Sequence, residues 1–245
     1  MPTTDDAPRA ASPLWRAGRF LLTLDRPLVM GIVNVTPDSF SDGGQNATAA
    51  AACAHCDRLL TEGADLLDIG GESTRPGGVA PGEAEELARV VPVLRHAVTL
   101  GVPVSVDTSS PAVMAEALAL GVDIVNDVRA LRRPWALETV ASSPSAGVCL
   151  MHLRGEPATM NSLARYDDVV AEVQQELQGA FDRALAAGIA PERVVIDPGY
   201  GFAKTPEHNL QLLQQIVRRQ ELRRIKRAGQ QNDDDAAEGN HHRDV

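Results

Sequence analysis

Positive charge is in short supply in this sequence. Its 23 Lys and Arg face 33 Asp and Glu, a formal net charge of −10 and a pI of about 5.0. An acidic balance repels phosphate backbones and anionic lipid surfaces, so nucleic acid and membrane are excluded as main partners. Long hydrophobic runs are missing as well. Every apolar stretch meets a charge, Gly or Pro well before the roughly 18 to 20 residues that a membrane helix needs. The opening Met-Pro-Thr-Thr-Asp-Asp has neither the cationic start nor the apolar centre of a secretory signal. These absences predict a soluble, cytoplasmic protein.

Cysteine is equally sparse. Three residues, an odd number without framework spacing, fit a reducing compartment better than a disulfide scaffold. Cys53 and Cys56 form a C-x-x-C inside an Ala-rich run that reads as helix. There the three-residue offset places two small apolar side chains on one face, and no second pair completes a zinc site. Nor does a hydrolytic motif stand out. The six His are scattered, His96 and His208 fall on expected helices, and no H-E-x-x-H is present. Gly199 to Thr205, GYGFAKT, has the wrong glycine spacing for a phosphate loop ahead of Lys204.

What is present is a rhythm. Short runs rich in Val, Ile and Leu predict strands at Leu28–Val33, Asp65–Ile69, Pro103–Val106, Ile124–Asn126, Gly147–Met151 and Val194–Asp197. Between them, helices are expected at Ala47–Glu62, Pro81–Leu100, Pro111–Leu120, Trp135–Ala141 and Tyr166–Ala187, with another starting near Pro206. Pro near the helix starts and Gly63, Gly101, Gly121 and Gly188 after the ends punctuate them. Alternation of this kind implies parallel pairing, in an open doubly wound sheet or a (β/α)8 barrel of the TIM type. Each strand ends in a polar cluster, and six contributing ends favour the barrel, whose strand ends all converge on one face.

Residues 1–17, through Ala17, are rich in Pro, Ala, Ser and Asp and are expected to be loose; the barrel domain is assigned to 18–217. From Arg218 onward the chain becomes a charged tail, 218–245, in which no buried strand can be written. The barrel therefore lacks recognisable strands 7 and 8, and exposed edges are expected to be covered by a second copy, as in a homodimer, or by another protein.

Three constellations carry chemistry. Met30 to Gly44, MGIVNVTPDSFSDGG, delivers the Asn34 amide to the barrel mouth ahead of a long loop. An Asx turn capping the strand would account for Asn34 equally well. Asp68 to Gly78, DIGGESTRPGG, sets the Thr74 hydroxyl and the planar fork of Arg75 among glycines, suited to phosphate or carboxylate. Asp107, Asn126 and Asp197 end three further strands. Buried carboxylates need donors, and two carboxylates with an amide suit a flat, amino-substituted heterocycle with a guanine-like edge. The plainer alternative is that each caps the next helix, above all Asp107 ahead of Thr108, Ser109 and Ser110.

At these residues the sequence resembles the dihydropteroate synthases of the pterin-binding barrel family. MGIVNVTPDSFSDGG, DIGGESTRPG, SVDTS, VNDV, LMH at Leu150 to His152, and VIDPGYGF follow the family's order between Phe20 and Gln214. The resemblance implies that 6-hydroxymethyl-7,8-dihydropterin diphosphate is joined to 4-aminobenzoate, releasing pyrophosphate with Mg2+ assistance. Carried over by position, Asn34 would sit at the metal and diphosphate. Thr74 and Arg75 would hold the second substrate and the diphosphate. Asp107, Asn126 and Asp197 would bind the pterin edge, with Met151 and Phe202 lining its ring; Asp107, Asp197 and Arg75 are the expected catalytic residues.

Two departures stand out. Ala203 replaces a usual glycine, and nothing after Gln215 matches the family's Ser-Arg-Lys or Arg-x-His segments. Their loss would slow turnover by orders of magnitude. A pterin-binding protein without turnover is therefore carried as an alternative. A methyltetrahydrofolate-binding methyltransferase domain ranks below it, because STRPG and the NVTPDSFSDGG loop favour the synthase branch.

Overall fold

Aliphatic runs of four or five residues, each followed by a helix-forming stretch, build the protein. Its computed structural model describes residues 13–36, 44–72 and 81–215. Two short strands, β1 (Leu14–Ala17) and β2 (Phe20–Thr23), pair as an antiparallel hairpin. Six strands then form one parallel sheet: β3 (Met30–Asn34), β4 (Leu66–Gly70), β5 (Val104–Asp107), β6 (Ile124–Asp127), β7 (Gly147–Met151) and β8 (Val194–Asp197). Helices α1 (Gly44–Thr61), α2 (Glu83–Ala97), α3 (Pro111–Ala119), α4 (Ala136–Ser142) and α5 (Val169–Ala186) connect them, and a further helix spans 206–215. Among the described residues, no helix is long and apolar enough to cross a membrane.

The spatial order β3-β4-β5-β6-β7-β8 follows the chain without reversal. A doubly wound sheet reverses at a switch point; this sheet does not, which is the winding of a βα barrel. Inward residues of both edge strands, Met30 on β3 and Val195 on β8, pack with Leu66, Ile124 and Trp15 in one cluster, so the sheet curls around a common axis. Eight strands in all are described, of which the last two along the chain are β7 and β8, and six belong to the parallel sheet. The charged tail, 218–245, to which the expectation of missing closing strands refers, lies outside the described residues.

Side chains alternate across this sheet. Val33, Leu67, Ile69, Val104, Val106, Val125, Val148 and Leu150 face the helices and form the main core. The expected helix boundaries hold to within a few residues. Pro111 stands at the start of α3, Ser110 caps it by accepting from Val113 N, and Gly188 after α5 takes φ +93°, a left-handed value closed to most side chains. Cys53 and Cys56 are free thiols on α1, Cys56 fully buried in the core, where burial pushes its thiol up to about 12. The C-x-x-C is a packing feature.

One expectation is corrected. Residues 14–17 are not loose: Trp15 and Ala17 point into the bottom of the barrel, with Trp15 only 6% exposed. The Trp15 indole N–H donates to the Arg193 carbonyl at 3.0 Å. Arg19, in the hairpin turn, forks onto buried Asp123, Nε to Oδ1 and Nη2 to Oδ2 both at 3.0 Å. The hairpin is a plug, and the polar composition of its surroundings concealed one Trp and one Ala at alternate positions.

Candidate active site

Parallel register decides which side chains meet. Asn34 pairs with Gly70, Gly70 with Asp107, Asp107 with Asn126, and Asn126 with Cys149. These positions share the inward face, at the carboxyl ends of the strands, where barrel enzymes carry their chemistry. Two residues farther along, Met151 pairs with Asp197 on the same face. A side chain at Gly70 would bring its Cβ to 3.3 Å from the Asp107 carboxylate, so the glycine keeps this ring open.

Beneath the ring lies Asp68, 4% exposed, which accepts from Asn126 Nδ2 at 3.0 Å. The bond fixes the Asn126 amide and turns its oxygen away from Asp68. Sequence reasoning placed Asp68 at the head of a loop motif and gave it no role. Its strand position, two residues before Gly70, is the signal that puts it on the inward face.

Negative charge is crowded here. Burial is the first cause raising the Asp68 carboxyl above its ordinary value. Asp107 lies well above its ordinary value, first through burial and then through the charges of Asp68, Asp127, Glu72 and Glu86. Such a cluster favours a ligand that brings N–H donors or positive charge.

The helix-cap alternative fails for two of the three residues. Ser110, not Asp107, caps α3. The Asn126 side chain bonds Asp68, while its backbone carbonyl accepts from Thr108 N at 3.0 Å. Asp197 does carry a local turn, Oδ1 accepting from Gly199 N at 2.7 Å. Met151 and Phe202 belong to one small apolar cluster with Val128, Leu153, Met160 and Ala203, so both expected ring-lining residues sit together beside Asp197. Asn34 ends β3 with its side chain exposed. Thr74 and Arg75 lie in 73–80, and most of the NVTPDSFSDGG loop lies in 37–43; both segments are outside the described residues.

An outer ring of charge pairs holds the strand ends. Buried Arg129 bonds Glu72 through Nη2 to Oε1 at 2.9 Å, Ser109 Oγ at 2.8 Å and Glu156 Oε2 at 2.7 Å. Asp127 accepts from Ser109 Oγ, from Arg129 N at 2.9 Å and from Leu131 N at 2.7 Å. Glu86 accepts from Thr108 Oγ1. The loops after β4, β5, β6 and β7 are thereby cross-tied, which holds the inner carboxylates against their mutual repulsion.

Comparison with known proteins agrees with this geometry. A family described as pterin binding enzyme matches residues 30–229. A dihydropteroate synthase of Neisseria meningitidis serogroup C is 50% identical over 208 residues, covering 84% of this chain and 74% of that protein. The solved structure of a Xanthomonas albilineans dihydropteroate synthase with 4-aminobenzoic acid superposes with a TM-score of 0.78 at 52% identity, over 84% of this chain and 74% of that one. The same enzyme in complex with 7,8-dihydropteroate gives a TM-score of 0.74 at 50% identity, over 86% and 74%. Barrel winding, an inward row of acceptors at the strand ends and these likenesses lead to one conclusion: the chain belongs to the pterin-binding enzyme family, among its dihydropteroate synthases.

Proposed function

We propose that Asp107, Asn126 and Asp197 bind the amino-substituted edge of a dihydropterin diphosphate, with Met151 and Phe202 along its ring, for transfer of the methylene group to 4-aminobenzoate. The observation that carries this assignment is the register row Gly70–Asp107–Asn126, underlain by Asp68 and flanked by Met151 and Asp197. In the reaction, the methylene C–O bond breaks and diphosphate leaves with the electron pair. The amine nitrogen of 4-aminobenzoate then forms the new bond to the methylene and gives up a proton. Positive charge develops on the dihydropterin as diphosphate departs, and the carboxylates stabilise it without a covalent nucleophile. The ligands named for the Xanthomonas structures, 4-aminobenzoic acid and 7,8-dihydropteroate, support substrate and product of this kind.

Thr74 and Arg75 are proposed to hold the second substrate and the diphosphate, and Asn34 to contribute a metal ligand. Among the described residues, no three His, Cys, Asp or Glu side chains gather as a metal cage. A single amide oxygen fits Mg2+, which commonly takes one or two protein ligands and completes its shell with phosphates and water. When bound, Mg2+ would draw negative charge off the leaving diphosphate. A cytoplasmic setting is proposed from the acidic, cysteine-poor composition, and a homodimer from the apolar exposure of Ile196, Leu210 and Leu213.

A pyrophosphate-release assay with both substrates tests the proposal. Release that requires 4-aminobenzoate and falls at least tenfold in Asp197→Asn, about 1.4 kcal/mol, is expected. Tight pterin binding without any release would instead favour the pterin-binding protein that lacks turnover. Unchanged turnover in Asp197→Asn would remove that carboxylate from the site.

A further inference from the structure

Lys204 is a buried cation that the pterin row does not use. Its side chain is enclosed, 8% exposed, between the loop that follows β8 and the end of β7. A phosphate-binding or solvated lysine would present its ammonium to water; this one turns inward. Nζ donates to the Phe202 carbonyl at 2.9 Å and to His152 Nδ1 at 2.9 Å. With Nδ1 accepting, the imidazole proton belongs on Nε2, which lies 3.1 Å from Glu176 Oε2 on α5.

These contacts join the two arms of the proposed pterin slot. His152 follows Met151 directly, and its backbone N–H donates to the Asp197 carbonyl at 2.9 Å. Gly199 packs so closely on this arm that a Cβ there would come within 2.2 Å of the His152 carbonyl oxygen. The other arm, 198–205, carries Phe202. Tyr166 OH donates to the Ala203 carbonyl at 2.9 Å, and Gly201 N donates to Asn209 Oδ1 at 3.0 Å. The Tyr166 ring is held in turn by His208, edge-on at 5.0 Å, and by the Arg154 guanidinium 4.1 Å above it. Burial pushes the Lys204 ammonium down to about 8 and the His152 imidazole down to about 4, the cost of placing both groups where bulk water does not reach them. Buried polar groups kept at such a cost fix one arrangement of the backbone around them.

We propose that Lys204 is a positioning residue for pterin binding: through His152 and the Phe202 carbonyl it sets the Met151–Phe202 slot at a fixed distance from the Asp197 carboxylate. The inference rests on the pterin reading above. It reaches beyond that reading by giving ligand affinity to a residue that need not touch the ligand.

The test is titration of Lys204→Met and Tyr166→Phe, beside the unaltered chain, with 6-hydroxymethyl-7,8-dihydropterin diphosphate and with 4-aminobenzoate, each with a thermal melt. Lys204→Met should weaken pterin binding about tenfold or more, because a charge-assisted tie between the arms is lost, with 4-aminobenzoate affinity changed less than about twofold. Tyr166→Phe removes one neutral tie on the same arm. It should fold normally and weaken pterin binding by about two- to fivefold, so it decides the matter if Lys204→Met does not fold. Unaltered pterin affinity in Tyr166→Phe and in folded Lys204→Met would overturn the inference, as would affinities for both ligands falling together with the melting temperature. If the unaltered chain binds no pterin, the pterin reading itself fails, a result distinct from either.

Discussion

The two ends of this barrel are built on opposite principles. At the bottom, the hairpin seals the axis with Trp15 and Ala17 against Leu66 and Ile124, and its one prominent charge, Arg19, is matched by a bidentate carboxylate. At the top, Asp68 and Asp107 stand on the same inward face, with Asp197 two register steps above, and Gly70 leaves the space beside the Asp107 carboxylate free of a side chain. One end pairs the charge it buries, Asp123 with Arg19. The other concentrates like charge that a ligand can relieve, so the bottom supplies stability and the top holds binding energy in reserve.

The largest effect that separates the ends is expected at Trp15. Trp15→Ala removes a buried indole and its bond to Arg193, and should cost about 3 to 5 kcal/mol in denaturant unfolding. Pterin affinity of the molecules that remain folded should be unchanged. A loss of affinity at native temperature would mean that the two ends are coupled.

Asp107→Asn should act in the reverse sense. The Asp107 carboxyl sits well above its ordinary value in the folded protein, so its ionised form is disfavoured there. Its favourable contribution is therefore present at low pH and is lost as pH rises through the raised value. Above the raised value the substitution removes a repelled charge, so the melting temperature measured there should rise while pterin binding weakens more than about tenfold. A variant that binds poorly and melts lower would show that Asp107 supports the fold.

A smaller, pH-dependent effect is expected at His152, whose imidazole burial lowers from 6.5 to about 4. Between those values the unfolded chain holds the proton and the folded chain does not, so stability falls as pH drops through that window. His152→Gln should flatten this part of a stability profile measured from pH 7 to 4. The smallest effect concerns Ala203, which stands at φ +50° within the Met151–Phe202 cluster. Ala203→Gly relieves about 1 kcal/mol of left-handed strain and loses roughly 0.8 kcal/mol of methyl burial, so chemical denaturation should shift by well under about 1 kcal/mol.

The top of the barrel was far more legible in the sequence than the bottom. Strands β7 and β8 are legible to the residue, because each run stops sharply: Met151 before His152, and Asp197 before Pro198 and Gly199. The inward row followed from period-two alternation once those ends were fixed. Asp68 escaped because GGEST drew its motif into the loop, although its face was set by Gly70 two residues on. The hairpin escaped because β1 closes a stretch, 1–17, whose composition is dominated by Pro, Ala, Ser and Asp, and that composition hides the alternate inward positions of Trp15 and Ala17. Lys204 escaped for another reason. A lysine in a glycine-rich loop invites a phosphate, and only tertiary packing shows that its ammonium serves two backbone arms.

The claim on which the account turns is that the inward acceptors at the top jointly hold one pterin. Isothermal titration of the chain with 6-hydroxymethyl-7,8-dihydropterin diphosphate, beside Asp107→Asn and Trp15→Ala, tests it most directly. The account predicts one site per chain, at least tenfold weaker in Asp107→Asn and of unaltered affinity in Trp15→Ala. Equal affinity in all three proteins, or no binding by the unaltered chain, would contradict it.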